Sequence, residues 1–313
     1  MLKLGLVGIG AIARKAHVPA IEGNAGLSLV AAASRNGTLD GVANYTTLTE
    51  MLAGSPEIEA VVLCVPPEPR FDMAREAIAA GRHVFLEKPP GVTVSEVHAL
   101  AAAAKDAGVT LLASWHSRFA PGVETLRQRL FATPPTRVRV TWREDVRVYH
   151  PGQTWIWEPG GYGVFDPLIN AFSILTYVLP RPFRAVSSRF EVPANCAQPI
   201  AANVLFRDTE GVEIACDASF DQPDPPTWDI VVETEAGTYH MQKGGAVLSH
   251  DGTVLVDEEE AEYANLYKLF AGLVQAGRSD VDVTPLAHVA DCFLLAEHHS
   301  VAPFEESIPA PKT

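Results

Sequence analysis

Hydrophobic and polar positions follow two different rhythms along this chain. Up to about residue 120, short apolar runs alternate with stretches of helical spacing. Residues 2–7 form an apolar strand, residues 12–22 a helical segment and residues 27–33 a second strand. A third strand over 60–65 is stopped by Pro66-Pro67, and the next helix carries Phe71, Ala74, Ala77 and Ile78 at helical spacing before closing at Gly81. Residues 83–86 make a fourth strand. Thr93 with Glu96 forms a capping box for a helix that runs through Lys105 and ends at Gly108, and residues 109–113 are a fifth strand. Such alternation predicts a doubly wound parallel sheet.

Beyond about residue 120 runs of strands take over. In 136–149, Val138, Val140, Trp142, Val146 and Val148 share one face of a predicted strand, while Arg137, Arg139, Thr141, Arg143 and Arg147 share the other. Further strands are expected at 183–192, 203–206, 212–220 and 229–234, with a short pair around Gly244-Gly245 and Asp251-Gly252, and helices at about 260–276 and 286–299. The expected fold is an α/β N-terminal Rossmann domain over 1–118 and an α+β C-terminal domain over 119–313 with a large open, mostly antiparallel sheet. Helices would cover one face of that sheet and a second copy of the chain the other, so a homodimer is inferred.

Candidate chemistry gathers where the predicted parallel strands end, because open α/β sheets bind ligands at their carboxyl edge. Gly8-Ile9-Gly10-Ala11-Ile12-Ala13 follows the first strand directly, the GxGxxA form of a dinucleotide fingerprint. The first glycine permits the tight turn, the second lets a pyrophosphate approach the backbone, and the small third residue lets helix and strand pack closely. The second strand ends in Ser34-Arg35-Asn36 rather than the acid that reads a ribose diol. A hydroxyl and a guanidinium suit a 2′-phosphate, which favours NADP with NAD possible; the alternative is a solvated arginine in a loop. Cys64 and Pro66 stand at the end of the third strand. The fourth runs into Glu87-Lys88-Pro89-Pro90, delivering a lysine to the same edge, unless Glu87 and Lys88 are simply a solvated pair. His116, after the fifth strand, would lie beside Lys88, either as a ligand residue or as a structural histidine.

In the second half, Glu144 falls on the apolar face of its strand, so it must find a partner or neutralise. It is a candidate for gripping a polyhydroxylated ligand, or a bulge rotates it outward. Tyr149, His150, Trp155, Trp157 and the Gly160-Gly161-Tyr162-Gly163 run form a loop suited either to the C–H faces of a sugar or to a core corner. Asp166 and Asn170 are four apart and share a helix face if both are helical; Asp166 before Pro167 also reads as a helix N-cap.

Composition narrows the partners. The chain has 313 residues, enough for two domains, and 24 Lys+Arg against 38 Asp+Glu give a net charge of −14, which disfavours nucleic acid and anionic membranes. A small molecule fits better. The start is apolar but broken by glycines, so it reads as a buried strand and not a signal peptide, and no apolar run reaches the roughly 20 residues that span a bilayer. Cys64, Cys196, Cys216 and Cys292 are far apart, suggesting neither a disulfide framework nor a zinc site; a reducing cytoplasm and no metal are expected. His288, His298 and His299 form no metal triad and read as surface helix residues.

Together, Gly8-x-Gly10-x-x-Ala13, Glu87-Lys88-Pro89 at a strand end, Gly160-Gly161 before Asp166, and the Rossmann-then-open-sheet order resemble the Gfo/Idh/MocA group of nicotinamide-dependent sugar and polyol oxidoreductases. That group usually carries DxxxH in its second domain, whereas this chain has Asp166-x-x-x-Asn170. With His116-Ser117-Arg118-Phe119, the departure resembles an aldose 1-dehydrogenase branch acting on L-arabinose or D-galactose. The resemblance implies oxidation of a cyclic aldose at its anomeric carbon to an aldonolactone, with Lys88, Asp166 and Asn170 as catalytic residues. Gly8, Gly10, Ala11, Ile12, Ala13, Ser34, Arg35, Cys64, Pro66, Glu87 and Lys88 would hold the cofactor. His116, Glu144, His150, Trp155, Asp166, Asn170 and Trp228 would hold the sugar. Lys88 or Asp166 would take the proton. Other readings are an inositol, dihydrodiol or keto-sugar oxidoreductase, or a non-catalytic NADP-binding sensor of a sugar pathway.

Overall fold

The computed structural model describes residues 1–259 and 261–305, which form two sheets, one of six strands and one of nine. The chain divides into two compact units. One takes Met1–Phe119 together with Ala261–Val283, and the other takes the rest of the described chain. The boundary expected near residue 118 thus has a counterpart at Phe119, but the segment Ala261–Val283, left with the second domain in the sequence, sits with the first unit. Position 260, where the predicted helix begins, and positions 306–313 at the end of the predicted second domain lie outside the described residues.

In the first unit the strands are β1 (Leu2–Val7), β2 (Leu27–Ala33), β3 (Ala43–Tyr45), β4 (Ala60–Leu63), β5 (His83–Leu86) and β6 (Leu111–Ala113). All neighbouring pairs are parallel, in the order β3-β2-β1-β4-β5-β6. Both faces are buried, so the strands read as continuous apolar runs. Val61, Leu63, Val84 and Leu86 pack on one side with residues of the helices Leu48–Gly54, Pro67–Ala79 and Val94–Ala107. Leu4, Leu6, Val62 and Phe85 pack on the other with Ala13, Ile21 and the helix Glu262–Gln275, whose Tyr267 stacks on Phe85 at 5.1 Å. That helix explains why Ala261–Val283 belongs here. The chain after it is tied to β6 by Ala113 N–H donating to Asp280 O at 2.9 Å and by Trp115 Nε1 donating to Asp282 O at 2.9 Å. The sequence missed β3, a three-residue edge strand without an apolar pattern, and the helix Leu48–Gly54, although Thr47 and Glu50 form a capping box that marks its start.

The second unit holds β7 (Pro135–Arg143), β8 (Phe183–Pro193), β9 (Ala201–Asp208), β10 (Glu213–Ser219), β11 (Thr227–Thr234), β12 (Gly237–Gln242), β13 (Val247–His250), β14 (Thr253–Asp257) and β15 (Ala296–Val301). Their order is β14-β13-β12-β11-β7-β10-β9-β8-β15, antiparallel except where β7 meets β10 and β8 meets β15. Helix Phe165–Val178 is buried along most of its length and, with Thr284–Leu294 and Pro121–Ala132, covers one face of the sheet. The opposite face carries Arg139, Thr141, Arg143, Asn203 and Asp217, with Arg143 paired to Asp217 at 2.6 Å.

Several expectations need correction. The strand predicted over 136–149 stops at Arg143. Asp145 accepts a hydrogen bond from Arg147 N–H at 2.9 Å and caps a one-turn helix, Val146–Tyr149, which leaves Val148 half exposed instead of on the apolar face. The helix expected over 286–299 ends at Leu294, and His298 and His299 lie on β15. His288 is buried and stacks on Phe183 at 4.4 Å, so it is not a surface residue.

Candidate active site

The register of the parallel sheet lines up a row of residues at its carboxyl edge. Val7 is paired with Ala33 and with Leu63, Leu63 with Leu86, and Leu86 with Ala113. Gly8, Ser34, Cys64, Glu87 and Ser114 therefore all lie one residue past the last rung. The strand order reverses on either side of β1, and a crevice opens at such a switch point.

Gly8 adopts φ +92°, and a Cβ there would come within 2.9 Å of the Cys64 and Val65 backbone, so glycine is required by both torsion and space. A Cβ at Gly10 would meet nothing within 4 Å. The loop therefore has an open backbone face, and it leads through exposed Ala11 and Ile12 into the helical turn Ala13–His17, with Ala13 fully buried against the sheet. This is the cradle a dinucleotide pyrophosphate needs. Arg35 is exposed beyond β2, and Ser34 Oγ accepts from Asn36 N–H at 3.3 Å. Arg14, which sequence reasoning passed over, reaches into the same loop and donates to Thr38 O at 2.9 Å. Pro66 is exposed at the N-cap of the helix Pro67–Ala79.

Glu87 is not a solvated partner of Lys88. It is 4% exposed and accepts hydrogen bonds from Ser114 Oγ at 2.7 Å, from the Tyr263 hydroxyl and from the Lys88 backbone N–H, with His17 Nε2 at 3.4 Å. Burial alone would raise its pKa, but the hydrogen bond and charge of His17, the charge of His116 and the Tyr263 hydroxyl hold it well below the usual carboxylate range. For His17 burial acts downward, and Cys64 and Glu87 outweigh it, lifting the imidazole to about 10. His17 Nδ1 meets the Tyr267 hydroxyl at 2.8 Å.

Arg70, a second residue that sequence reasoning passed over, is buried and donates to the carbonyls of Val65, Glu87 and Pro89. It ties the loop after β4 to the loop after β5. A lone arginine on a helix gives no sequence signal of this. Lys88 itself is half-buried and is followed by a cis peptide bond to Pro89. His116 begins the turn His116–Phe119 that follows β6. Burial and the Lys88 cation lower the His116 pKa, but Glu262, bonded to Nδ1, and Glu87 raise it further, so the net shift is upward. Its ring stacks on Tyr263 at 5.1 Å.

In the second unit, Glu144 lies one residue past β7 and is 2% exposed. It has found its partners: Oε1 is 2.8 Å from His150 Nε2 and Oε2 accepts from Trp228 Nε1 at 2.8 Å. Trp228 stacks on Trp142 at 6.4 Å and meets Tyr149 edge-on at 5.2 Å. Asp166 is 4% exposed and places Oδ2 3.7 Å from His150 Nδ1. Its expected role as N-cap is corrected by the structure. The helix Phe165–Val178 begins one residue before it, with Val164 at the cap position, so Asp166 is inside the first turn. Asn170 follows one turn later in the same helix, on the face of Asp166. Trp155 is half-buried in the turn Thr154–Trp157. The glycine run pins that turn, because a Cβ at Gly161 would lie 2.2 Å from Trp155 O. The second unit thus brings Glu144, His150, Asp166 and Trp228 into one connected group. Among the described residues, no cluster of three or more histidine, cysteine or acidic side chains could hold a metal ion.

The chain is similar to known proteins over nearly its whole length. A model of an oxidoreductase family with an NAD-binding Rossmann fold matches residues 2–114. A galactose 1-dehydrogenase of Pseudomonas fluorescens is 40% identical over 303 residues, covering 97% of this chain and 98% of its own. The crystal structure of a D-galactose-1-dehydrogenase from Rhizobium etli aligns with a TM-score of 0.93 at 50% identity, over 97% of this chain and 98% of that one. At 15% identity a 3-ketoreductase from Actinomadura kijaniata, solved with NADP and TDP-benzene, still gives a TM-score of 0.81 over 96% of this chain and 99% of its own, which is likeness of fold. By its glycine loop, its sheet order and its similarity over nearly the whole length, this chain belongs to the Gfo/Idh/MocA oxidoreductase family, with an NAD(P)-binding Rossmann fold.

Proposed function

We propose that this protein is an NADP-preferring aldose 1-dehydrogenase that oxidises the anomeric carbon of D-galactose and L-arabinose to the aldonolactone. What carries the reading is the nearly full-length similarity to galactose 1-dehydrogenases at 40% and 50% identity. L-arabinose is included because its pyranose ring has the hydroxyl arrangement of D-galactose and differs by a hydroxymethyl group. A small difference of that kind is weakly discriminated by a pocket.

When bound, a nicotinamide dinucleotide supplies a hydride acceptor. The backbone of Gly8, Gly10, Ala11, Ile12 and Ala13 would hold its pyrophosphate, Ser34 and Arg35 its 2′-phosphate, and Cys64, Pro66 and Glu87 line the edge beside it. Oxidation of the C1 hydroxyl needs a proton acceptor and a cation that stabilises developing oxyanion character. Asp166 takes the first role and Lys88 the second. Glu87, tied to the Lys88 backbone and to His17, fixes the loop that carries the lysine. Asn170 cannot titrate, so it orients the hydroxyl. His116, Glu144, His150, Trp155 and Trp228 hold the sugar. The four cysteines are free thiols, which suits a reducing cytoplasm. The polar face of the nine-stranded sheet is assigned to a homodimer.

The test is initial-rate absorbance of the reduced nicotinamide, with NADP and NAD each offered D-galactose, L-arabinose, D-xylose, D-glucose and myo-inositol. Turnover of the first two, faster with NADP, is expected; turnover confined to myo-inositol overturns the aldose reading. Lys88→Ala should cost on the order of 100-fold or more in kcat while NADP still binds by calorimetry. Arg35→Ala should lower the preference for NADP over NAD without slowing the NAD reaction.

A further inference from the structure

We propose that His150 is the proton carrier of this site, receiving through Nδ1 the proton that Asp166 takes from the anomeric hydroxyl while Glu144 holds the ring from the other side. The inference rests on the aldose reading above and assigns to His150 more than contact with the sugar.

The imidazole is held between two carboxylates. Trp228 Nε1 can only donate, so Glu144 Oε2 is an acceptor, and Oε1 of the same carboxylate lies 2.8 Å from His150 Nε2. The other ring nitrogen, Nδ1, is 3.7 Å from Asp166 Oδ2. With Nε2 engaged by Glu144, Nδ1 is the atom through which the ring can exchange a proton with Asp166. The side chains of Glu144 and Asp166 are 3% and 5% exposed and that of His150 is 15% exposed. An imidazolium here lies between two buried carboxylates, and its partial exposure leaves a route for the proton to solvent. Asn170, one turn from Asp166, has no proton to exchange, so the imidazole that serves this carboxylate comes from a different element, the end of the short helix Val146–Tyr149.

The step balances as follows. The C1–H bond breaks with its electron pair leaving to a nicotinamide dinucleotide. The C1 hydroxyl O–H bond breaks with its proton passing to the Asp166 carboxylate, and the C1=O bond of the lactone forms. The proton then moves from the Asp166 carboxyl to His150 Nδ1, restoring the carboxylate, and leaves to solvent from the imidazolium.

Measurements on His150→Ala and Glu144→Gln test this. In His150→Ala, kcat for D-galactose with NADP should fall about 100-fold. The loss in kcat should exceed any loss of D-galactose affinity by calorimetry, and added imidazole should restore part of kcat. A variant with unchanged kcat and weakened sugar binding overturns the proposal, since His150 would then be a hydroxyl ligand only. Should His150→Ala fail to fold, Glu144→Gln decides. It keeps one acceptor, for Nε2, but removes the negative charge behind the imidazolium, so kcat of the folded variant should fall about tenfold, and an unaltered kcat sinks the idea. A wild type that oxidises no aldose overturns the functional reading instead, whereas an active wild type with an equally fast His150→Ala overturns this inference alone.

Discussion

Glu87 and His17 are ionised inside the first unit, and their titration makes stability depend on pH at both ends. His17 is raised from 6.5 to about 10, so the folded chain keeps a proton that the unfolded chain has released between those values. Its stabilising contribution is complete below about pH 6.5 and is lost as pH rises through about 10. Glu87 is lowered from 4.5, so its contribution is present above that value and is lost as pH falls through its depressed pKa. The melting temperature of the wild type should therefore decline from neutral to alkaline pH more steeply than that of His17→Gln; parallel curves would contradict the pairing. Glu87→Gln removes the buried carboxylate that, after Cys64, holds the His17 pKa up, and should cost about 1–3 kcal/mol, measured from the urea midpoint. Glu87 and Lys88 were visible in the sequence because an acid and a base follow an apolar run and precede two prolines. That the acid faces inward was not visible, because Ser114, Tyr263 and His17 approach it from distant parts of the chain.

Turns and strand ends show which local signals are sufficient. The glycine loop, the capping box at Thr93 and the left-handed Gly108 that ends its helix depend on neighbours a few residues away, and all are found where expected. β15 and the helix Pro121–Ala132 escaped. The strand Ala296–Val301 is polar and mostly exposed, and it is a strand because its backbone pairs with β8 at the sheet edge. The end of β7 was overrun because Val146 and Val148 continue the alternation while Asp145 caps a helix. The glycine run 160–163 was read as an aromatic-rich loop, and its steric necessity comes from Trp155 O, 2.2 Å from a Cβ at Gly161. Gly161→Ala should lower the melting temperature by an amount corresponding to about 1–3 kcal/mol. NADP affinity, governed by the first unit, should be unchanged by calorimetry; a variant that melts like wild type would contradict this packing.

The nine-stranded sheet leaves one face polar, with Arg143 paired to Asp217 and Arg139 to Glu233. A dimer through this face should give twice the 33.7 kDa chain mass by light scattering. A monomer at all concentrations would remove that assignment. Five of the six strands of the parallel sheet, the position of the glycine loop and the four-residue spacing of Asp166 and Asn170 follow from patterns a few residues long, since periodicity and turn chemistry are local. Which unit the segment Ala261–Val283 joins depends on Tyr267 finding Phe85. That Glu144 and Asp166 flank His150, and that Arg70 binds two loops, depends equally on residues far apart in the chain. Those arrangements are set by packing and hydrogen bonding across long loops, where one partner's sequence says nothing of the other.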